Sequence, residues 1–535
     1  MSDAARRRTV LLAAILGSGI VFLDGTIVNV ALPAIRRSLH GGLAEQQWVV
    51  EAYLLTLSSL LLVGGSLGDL FGRRRVFMIG TAAFGVCSLL CAAAPTSGVL
   101  IAARAIQGIA GALLVPSTLA LIMDTFAEHE RAAAIGTWTA WTGIATVIGP
   151  LGGGALVTAA SWRWVFAVNL VPVAITLYLL STLPGDARRP GHVDWLGAVL
   201  VALGLAGPVF ALIEQPQYGW GSARVMIPLV AGAVLLVVFV FVERREREPM
   251  LPFELFGSRN FSVGNLTTLT MYAGLGVATF FLVLFLQQVA GYTALESGLA
   301  LLPITVIVFA LAKRFGALAD RIGPHLFMAA GPVVAAVGLL LLTRIGSGAD
   351  YLSTVLPGIA VFGLGLAATV APLTAAVLAS VAPQHSGVAS GVNNMVARVA
   401  GLLAIAALGA VITGSFQNRL TQDVGRQRLG PVAHQVVERG RTAPLVIGTA
   451  GVPAAERPVV EHDLVDASVH AFQLGMLISA LLVALGGLIA AAGIENPRRE
   501  VECADCPGGA LAAANVEVAK RPGAAPVPGV TAEPA

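Results

Sequence analysis

The chain has 535 residues, of which 56% are hydrophobic and only 12% are charged, and its mean hydropathy is +0.82. Because an ordinary soluble protein carries about 25% charged residues, this composition cannot supply the polar surface of a large soluble fold, and it excludes a soluble enzyme. The net charge of +3 and the four cysteines favour neither a nucleic-acid partner nor a disulfide framework. What remains is an all-α polytopic membrane protein whose surroundings are the lipid bilayer.

Fourteen apolar runs are each long enough to cross a membrane, since a spanning helix needs about 20 mostly apolar residues. They are continuously apolar, whereas the strands of a membrane barrel would alternate. The predicted spans lie at 9–33, 48–68, 76–95, 98–122, 134–159, 163–183, 194–214, 225–242, 262–290, 295–314, 325–343, 352–376, 386–413 and 467–493.

Arg and Lys near the ends of these spans predict the orientation. With the N-terminus in the cytoplasm, the short inside loops and the start of the tail hold eighteen of these residues, and the short outside loops hold five. Because cytoplasmic loops collect Arg and Lys, we expect both termini inside and segment 415–466 outside. The first span is long and contains Asp24, which favours an uncleaved helix over a signal peptide.

A repeated pattern predicts two related halves. Residues 65–72 read GSLGDLFG and residues 316–323 read GALADRIG, so that Asp320 and Gly323 repeat the Asp and the last Gly of the first copy. Each copy follows the second helix of its half, and parallel six-helix repeats are a known transporter architecture. We expect an N-terminus at 1–8, a first half at 9–183 and a linker with two inserted helices at 184–260. A second half at 261–493 and a disordered tail at 494–535 follow.

The loop of this repeat has the chemistry of a cytoplasmic latch. Gly65 and Gly72 permit a tight hairpin, and Asp69 lies where a helix N-terminus and Arg73 can both stabilise its carboxylate. The alternative is a basic loop that only sets topology, but such a loop does not need the Asp.

Five segments resemble a known family. GSLGDLFGRRR, from Gly65, resembles the loop signature of the major facilitator superfamily, and IAARAIQGIAGALLVPS, from Ile101, resembles its fourth-helix signature. IGPLGGG, from Ile148, resembles its antiporter signature in the fifth helix. LDGTIVNVALPAI, from Leu23, and SWRWVFAVNLVP, from Ser161, are similar to its fourteen-helix drug:proton antiporter branch.

The resemblance covers roughly residues 9–493. It implies the major facilitator fold and a multi-pass transporter of the bacterial cell membrane, which exports drug-like or amphipathic small molecules in exchange for protons. The alternative is a dedicated exporter that protects a producer from one native metabolite. We expect a monomer. One position departs from the antiporter pattern, which usually has Gly where this chain has Ala145.

Two charges inside the predicted spans are candidates for proton coupling, because an unpaired charge in a bilayer is costly. Asp24 lies roughly 22 Å deep at 1.5 Å per residue, and Arg104 reaches a similar depth, so an ion pair is feasible. It is either a static brace or a site where a proton on Asp24 favours one access state. The resemblance links Arg104 to proton transfer. Glu51 is the second candidate, but it follows Trp48 near the outer interface, where it can simply be solvated.

Three polar residues make the helix predicted at 386–413 a candidate for substrate or gating contacts. Arg398 lies in mid-helix, one turn after Asn394, and Asn393 directly precedes Asn394. Gln107 of the fourth-helix signature is assigned to the same group. The alternative for Arg398 is a packed side chain that donates to backbone carbonyl groups.

Gly149 and Pro150 interrupt the hydrogen-bond ladder of the fifth predicted helix, and Gly153 and Gly154 leave no side-chain bulk beside them. The helix can bend there and press on a neighbour, or the cluster can serve packing alone. In the family that the chain resembles, this cluster marks export by antiport, and it therefore supports outward transport.

Other chemistries have little support in the sequence. The spans show no His, Asp and Glu cluster at metal-ligand spacing, and no ATP-binding Gly-x4-Gly-Lys-Ser/Thr motif occurs. We therefore expect no metal, no cofactor and no enzymatic activity. Cys503 and Cys506 form a single CxxC pair, which is a weak indication of zinc. The apolar stretch near 443–451 is too short to span and predicts a small outer element.

Overall fold

The computed structural model describes residues 3–184, 193–246, 249, 251–381, 386–424, 429–441 and 444–496, and these residues form helices and connecting turns without a strand. The predicted tail from residue 497, with its two cysteines, lies outside the described residues. The helices are α1 (Asp3–Leu39), α2 (Leu43–Phe71), α3 (Arg73–Ala93), α4 (Ser97–Thr125), α5 (Glu128–Ala159), α6 (Trp164–Ala167), α7 (Leu170–Ser181), α8 (Trp195–Tyr218), α9 (Ala223–Glu243), α10 (Arg259–Gln288), α11 (Ala294–Ile322), α12 (His325–Leu342), α13 (Leu356–Ala379), α14 (Ser386–Val424), α15 (Pro431–Gly440) and α16 (Arg457–Gly493).

Among the described residues, thirteen stretches are long and apolar enough to cross a membrane. The two parts of α2, which meet at 53°, bring the total to fourteen if they form one span. Helices α6 and α7 together form one of these spans. Each of the fourteen overlaps one predicted span, so the all-helical, fourteen-span prediction is confirmed. Most of the helices extend beyond their predicted ends because polar residues continue the helix outside the apolar run.

Local sequence signals set several helix ends. Thr96, Asp194 and Thr293 each accept a hydrogen bond from the backbone N–H three residues later, which caps the starts of α4, α8 and α11. Gly72 and Gly323 have φ angles of 96° and 95°. Only glycine adopts this backbone conformation without strain, and these two residues therefore allow the tight turns after α2 and α11.

Helices α1–α7 pack mainly on one another, and so do helices α10–α16. Small residues bring backbones together in both groups. A Cβ atom at Gly108 in α4 would lie 2.4 Å from the carbonyl oxygen of Tyr53 in α2, and one at Gly365 in α13 would lie 2.2 Å from the amide nitrogen of Ala335 in α12. Without a hydrophobic force between helices in lipid, such close contacts are a main source of helix association.

The inserted hairpin of α8 and α9 lies beside the gap between the two groups. Helix α8 packs on α9, α2 and α14. The indole Nε1 of Trp48 in α2 donates a 3.0 Å hydrogen bond to Glu214 Oε1 in α8, and the Trp48 ring lies 5.9 Å from that of Phe210. The hairpin therefore bridges α2 and α14.

Polar contacts between the two helix groups lie towards one end of the bundle, which we call the His40 end because α1 and α2 meet there. Gln47 Nε2 donates to the Ile405 carbonyl at 2.9 Å, and Gln287 Nε2 donates to the Val30 carbonyl at 3.0 Å. The opposite end, where Gly72 joins α2 to α3, is called the Gly72 end. The two groups are thus joined near the His40 end.

Segment 415–466 forms a packed element at the His40 end. Its helix α15 buries Ala433 and Val437, and Leu445 and Val452 are buried in the same apolar cluster. The Arg419 guanidinium forms ion pairs with two aspartates, at 3.2 Å and 2.9 Å. The described part of this segment is therefore packed on the helix bundle, and its location outside the membrane stays a prediction. Residues 425–428, 442 and 443 lie outside the described residues.

Candidate functional site

Asp24 and Arg104 form an ion pair in the middle of the first helix group, and both side chains are buried. Arg104 Nη1 donates to Asp24 Oδ2. Asp24 Oδ1 accepts from Gln107 Nε2 at 3.2 Å and from Asn169 Nδ2 at 3.0 Å. Three donors, from α4 and from the junction of α6 and α7, therefore converge on one carboxylate and hold it in place.

Arg104 is itself held on several sides. Its Nε donates to the Val49 carbonyl at 2.9 Å, and its Nη1 also donates to Gln107 Oε1 at 2.8 Å. The guanidinium carbon lies 4.1 Å from the ring centre of Tyr53, so a cation–π contact adds to the pair. The predicted ion pair is present, and its role in coupling remains a prediction.

Two members of this network were missed by sequence reasoning. Asn169 breaks the span between α6 and α7 and reaches Asp24. Ser88 in α3 accepts a 2.9 Å hydrogen bond from Gln107. The signal for both was a polar side chain inside an apolar run, and Asn169 belongs to the segment SWRWVFAVNLVP. Gln107, predicted among the substrate and gating residues, is buried in this network instead of lining the cavity described below.

Glu51 on α2 is fully buried, so the alternative of a solvated interfacial carboxylate is wrong. Neither of its carboxyl oxygens has a hydrogen-bond partner within the described part of the chain. The reason is that the helices extend well past the apolar run used to locate the interface, and α2 already begins at Leu43. A buried carboxyl group without a hydrogen-bond partner is costly, which makes Glu51 a candidate for a functional role.

A cavity of about 300 Å³ lies between the two helix groups. Its walls come from α1, α2, α10, α13 and α14, and they include Phe22, Leu54, Tyr272, Asn394 and Arg398. Helices α4 and α5 pack on α2 and α1, and no residue of either helix is among the described residues that line this cavity. The cavity reaches the ends of α13 and α14 at the Gly72 end.

The three polar residues predicted on α14 all line this cavity. Asn393 Nδ2 donates to Thr268 Oγ1 at 2.8 Å and to Asn265 Oδ1 at 3.1 Å, which ties α14 to α10. Asn394 is exposed to the cavity. The Arg398 guanidinium lies 5.5 Å from the ring centre of Phe22 on α1, and it thus approaches the other helix group.

The glycine cluster of α5 packs on two neighbours, and the helix is continuous through Pro150. Cβ atoms at Gly149 and Gly153 would lie 3.2 Å and 3.0 Å from backbone atoms of α1. One at Gly154 would lie 2.6 Å from the carbonyl oxygen of Ala294 in α11. Helix α5 therefore connects the helix that carries Asp24 with the other helix group.

The two repeated loops differ in their contacts. Arg73 binds Asp69 at 2.8 Å, Asp124 at 2.6 Å and the Ala120 carbonyl at 2.9 Å. This arrangement joins α2, α3 and α4, and the latch role of the loop stays a prediction. Gly65 lies beside α4, where an added Cβ would have ordinary contact with Pro116. Asp320 is exposed, and no hydrogen bond or ion pair joins it to the described residues.

Sequence comparison shows which known proteins the chain is similar to. Residues 14–405 match the sequence model of the Major Facilitator Superfamily. The chain is 34% identical over 487 residues to multidrug resistance protein Stp of Mycobacterium tuberculosis, which covers 89% of each chain. It is 38% identical over 402 residues to puromycin resistance protein pur8 of Streptomyces alboniger, covering 74% of this chain and 80% of that one.

A solved structure shows the same fold. A bacterial homologue of the human lysosomal transporter Spinster, in an inward-facing and unoccupied conformation, aligns with a TM-score of 0.60 at 17% identity. The alignment covers 92% of this chain and 99% of that one. The two predicted characteristics, a helical membrane protein and a major facilitator fold, are confirmed.

Proposed function

Because the chain belongs to the Major Facilitator Superfamily and is a multi-pass protein of the cytoplasmic membrane, we propose that it exports drug-like or amphipathic small molecules in exchange for protons. The observation that carries this proposal is a buried, hydrogen-bonded Asp24–Arg104 pair close to a largely apolar cavity between two helix groups. The first can exchange a proton, and the second can hold an amphipathic molecule. Named relatives confer resistance to several drugs or to puromycin.

The Gly72 end is the cytoplasmic end in this proposal, because the Arg-rich short loops are there. The contacts near the His40 end then close the outer side, and the cavity receives its substrate from the cytoplasm. Transport requires that the contacts of α5 with α11 separate while the Gly72 end closes. A ligand or proton drives this exchange only as far as its affinity differs between the two states.

Asp24 is the primary proton carrier in this mechanism. A proton on its carboxyl group would remove the charge that Arg104 pairs with and would weaken the hydrogen bonds from Gln107 and Asn169. Helix α1 would then be held less firmly against α4. Because Gly149 and Gly153 place α5 directly on α1, a shift of α1 is passed to α5 and from there to α11.

Glu51 is the second proton site. It has no partner in this conformation, and we propose that it is protonated here and ionises when the helices rearrange. The two carboxyl groups would then hold opposite protonation states in a given conformation.

The test is proton-driven transport. A strain that overexpresses the protein is grown on a panel of unrelated toxic compounds, with and without an uncoupler, and each protected compound is assayed for uptake into everted vesicles with an acidic lumen. We expect uptake that collapses with the uncoupler and that Asp24→Asn abolishes. The matched control is Asp350→Asn, since Asp350 is exposed and its carboxylate accepts hydrogen bonds from Ser353 within its own turn.

Proton-coupled uptake at the normal rate by Asp24→Asn would overturn the assignment of Asp24. The breadth of protection separates the two forms of the proposal. Protection against many unrelated compounds indicates a multidrug exporter, whereas protection against one compound indicates a dedicated self-resistance exporter. The name of pur8, which refers to a single drug, keeps the second form in consideration.

A further inference from the structure

The two arginines deep inside the bundle have opposite environments. Arg104 has a carboxylate, an amide and a backbone carbonyl as acceptors. Arg398 has none, since no hydrogen bond or ion pair connects its guanidinium to the residues that the structure describes. Its guanidinium lies 5.5 Å from the ring centre of Phe22. A cation within a membrane protein is normally paired. The alternative from the sequence, in which Arg398 donates to backbone carbonyl groups, is therefore wrong.

The charge of the cavity follows from its lining. Arg398 faces it, and no Asp or Glu occurs among the described residues that line it. The carboxyl groups of Asp24 and Glu51 are fully buried and do not belong to the lining. The cavity consequently offers one positive charge without an internal partner.

The rest of the lining indicates the shape and polarity of an occupant. Phe22 and Tyr272 provide aromatic faces, and Leu54 adds an aliphatic one. Asn394 is exposed to the cavity beside Arg398 and can donate or accept a hydrogen bond. A volume of about 300 Å³ is at the lower end of the range for small-molecule sites.

We infer that this cavity binds aromatic amphiphiles with an anionic group, such as a carboxylate, which pairs with Arg398 while the rings lie against Phe22 and Tyr272. The inference rests on the proposed export function and adds the charge of the substrate to it. The exporter prefers anions to organic cations, because a cation would enter a site that already has an uncompensated positive charge.

The test is equilibrium binding to the purified full-length protein, measured by the fluorescence of three probes that share one ring system. Dansylglycine is anionic, dansylamide is neutral and monodansylcadaverine is cationic. We expect dansylglycine to bind about tenfold more tightly than monodansylcadaverine, which corresponds to about 1.4 kcal/mol. Arg398→Gln should remove this preference and leave dansylamide binding unchanged, whereas Arg398→Lys should keep the preference in reduced form.

The matched control is Arg224→Gln, because Arg224 also lies over an aromatic ring, at 5.1 Å from Tyr218, but outside the cavity. It should keep the full preference. Equal affinity for the three probes, tighter binding of the cation, absence of dansylglycine binding, or an unchanged preference in Arg398→Gln would each overturn the inference. Binding needs no proton gradient, so the two proposals can fail separately. Proton-driven export of cations would refute the preference for anions and leave the export proposal standing. Binding of dansylglycine without any proton-driven transport would refute the export proposal and leave the preference for anions standing.

Discussion

Arg73 and Pro324 occupy the same position in the two copies of the loop pattern, one residue after the last glycine. In the first copy the arginine joins Asp69 and Asp124. In the second copy the proline has no donor, and Asp320 has no described partner. Both glycines nevertheless keep nearly the same φ angle. The repeat thus preserves the backbone turn, whereas its ion pairs belong to the first copy alone.

The same difference extends into the membrane. Helices α1–α7 hold the Asp24 network and the unpaired Glu51, whereas helices α10–α16 contribute Arg398 and the two asparagines to the cavity. The two carboxyl groups to which we assign proton exchange therefore lie in the first helix group, and the polar groups that can contact a substrate lie mainly in the second. Coupling between proton and substrate must then cross the contacts between them.

The largest effect is expected from breaking the Asp24–Arg104 pair. Arg104→Gln should lower the free energy of unfolding by about 3–5 kcal/mol, because it leaves a buried carboxylate without its counter-charge. The double variant with Asp24→Asn should regain much of that stability and should still lack proton-driven transport. Thermal unfolding in detergent and vesicle uptake measure the two quantities. A double variant as unstable as the single one would contradict the pairing argument, and normal uptake would reduce the pair to a brace.

The sequence predicts this pair because two charges at similar depth in apolar helices have few other partners. It does not predict Asn169 or Ser88, whose positions depend on how α6 and α7 meet and on the rotation of α3. The burial of Glu51 was also missed, since apolar runs locate spans but not which helix covers a given face. The polar residues of α14 that line the cavity were predicted, but the contribution of α13 to the lining depends on packing between distant parts of the chain and was not.

A smaller but specific effect is expected where the two helix groups meet. Gly154→Leu places a side chain against α11, since even a Cβ atom there would lie 2.6 Å from the Ala294 carbonyl oxygen. The His40 end could then no longer close, and proton-driven uptake in vesicles should fall at least about tenfold, the equivalent of about 1.4 kcal/mol.

Gly152→Leu is the matched control for that substitution. An added Cβ atom at Gly152 would contact only Ile148 of its own helix, at 3.9 Å, so uptake should stay near that of the unmodified protein. If Gly154→Leu transports as well as Gly152→Leu, the close approach of α5 and α11 is not needed for transport. The two helix groups would then be coupled through other contacts, such as that of Gln47 with α14.

The smallest effect is expected at the repeated loops, where it tests the comparison directly. Arg73→Ala removes two ion pairs and a hydrogen bond to the Ala120 carbonyl, but Asp69 and Asp124 are 44% and 34% exposed. Solvent screens such pairs, so the loss of stability should be about 1 kcal/mol. Asp320→Ala should stay within about 0.5 kcal/mol of the unmodified protein, as is usual for surface positions. Unfolding curves at low and high salt measure both variants, and the cost of Arg73→Ala should shrink as salt rises. Equal costs at the two loops would mean that the second copy has a stabilising partner after all, and that the halves differ less than their contacts indicate.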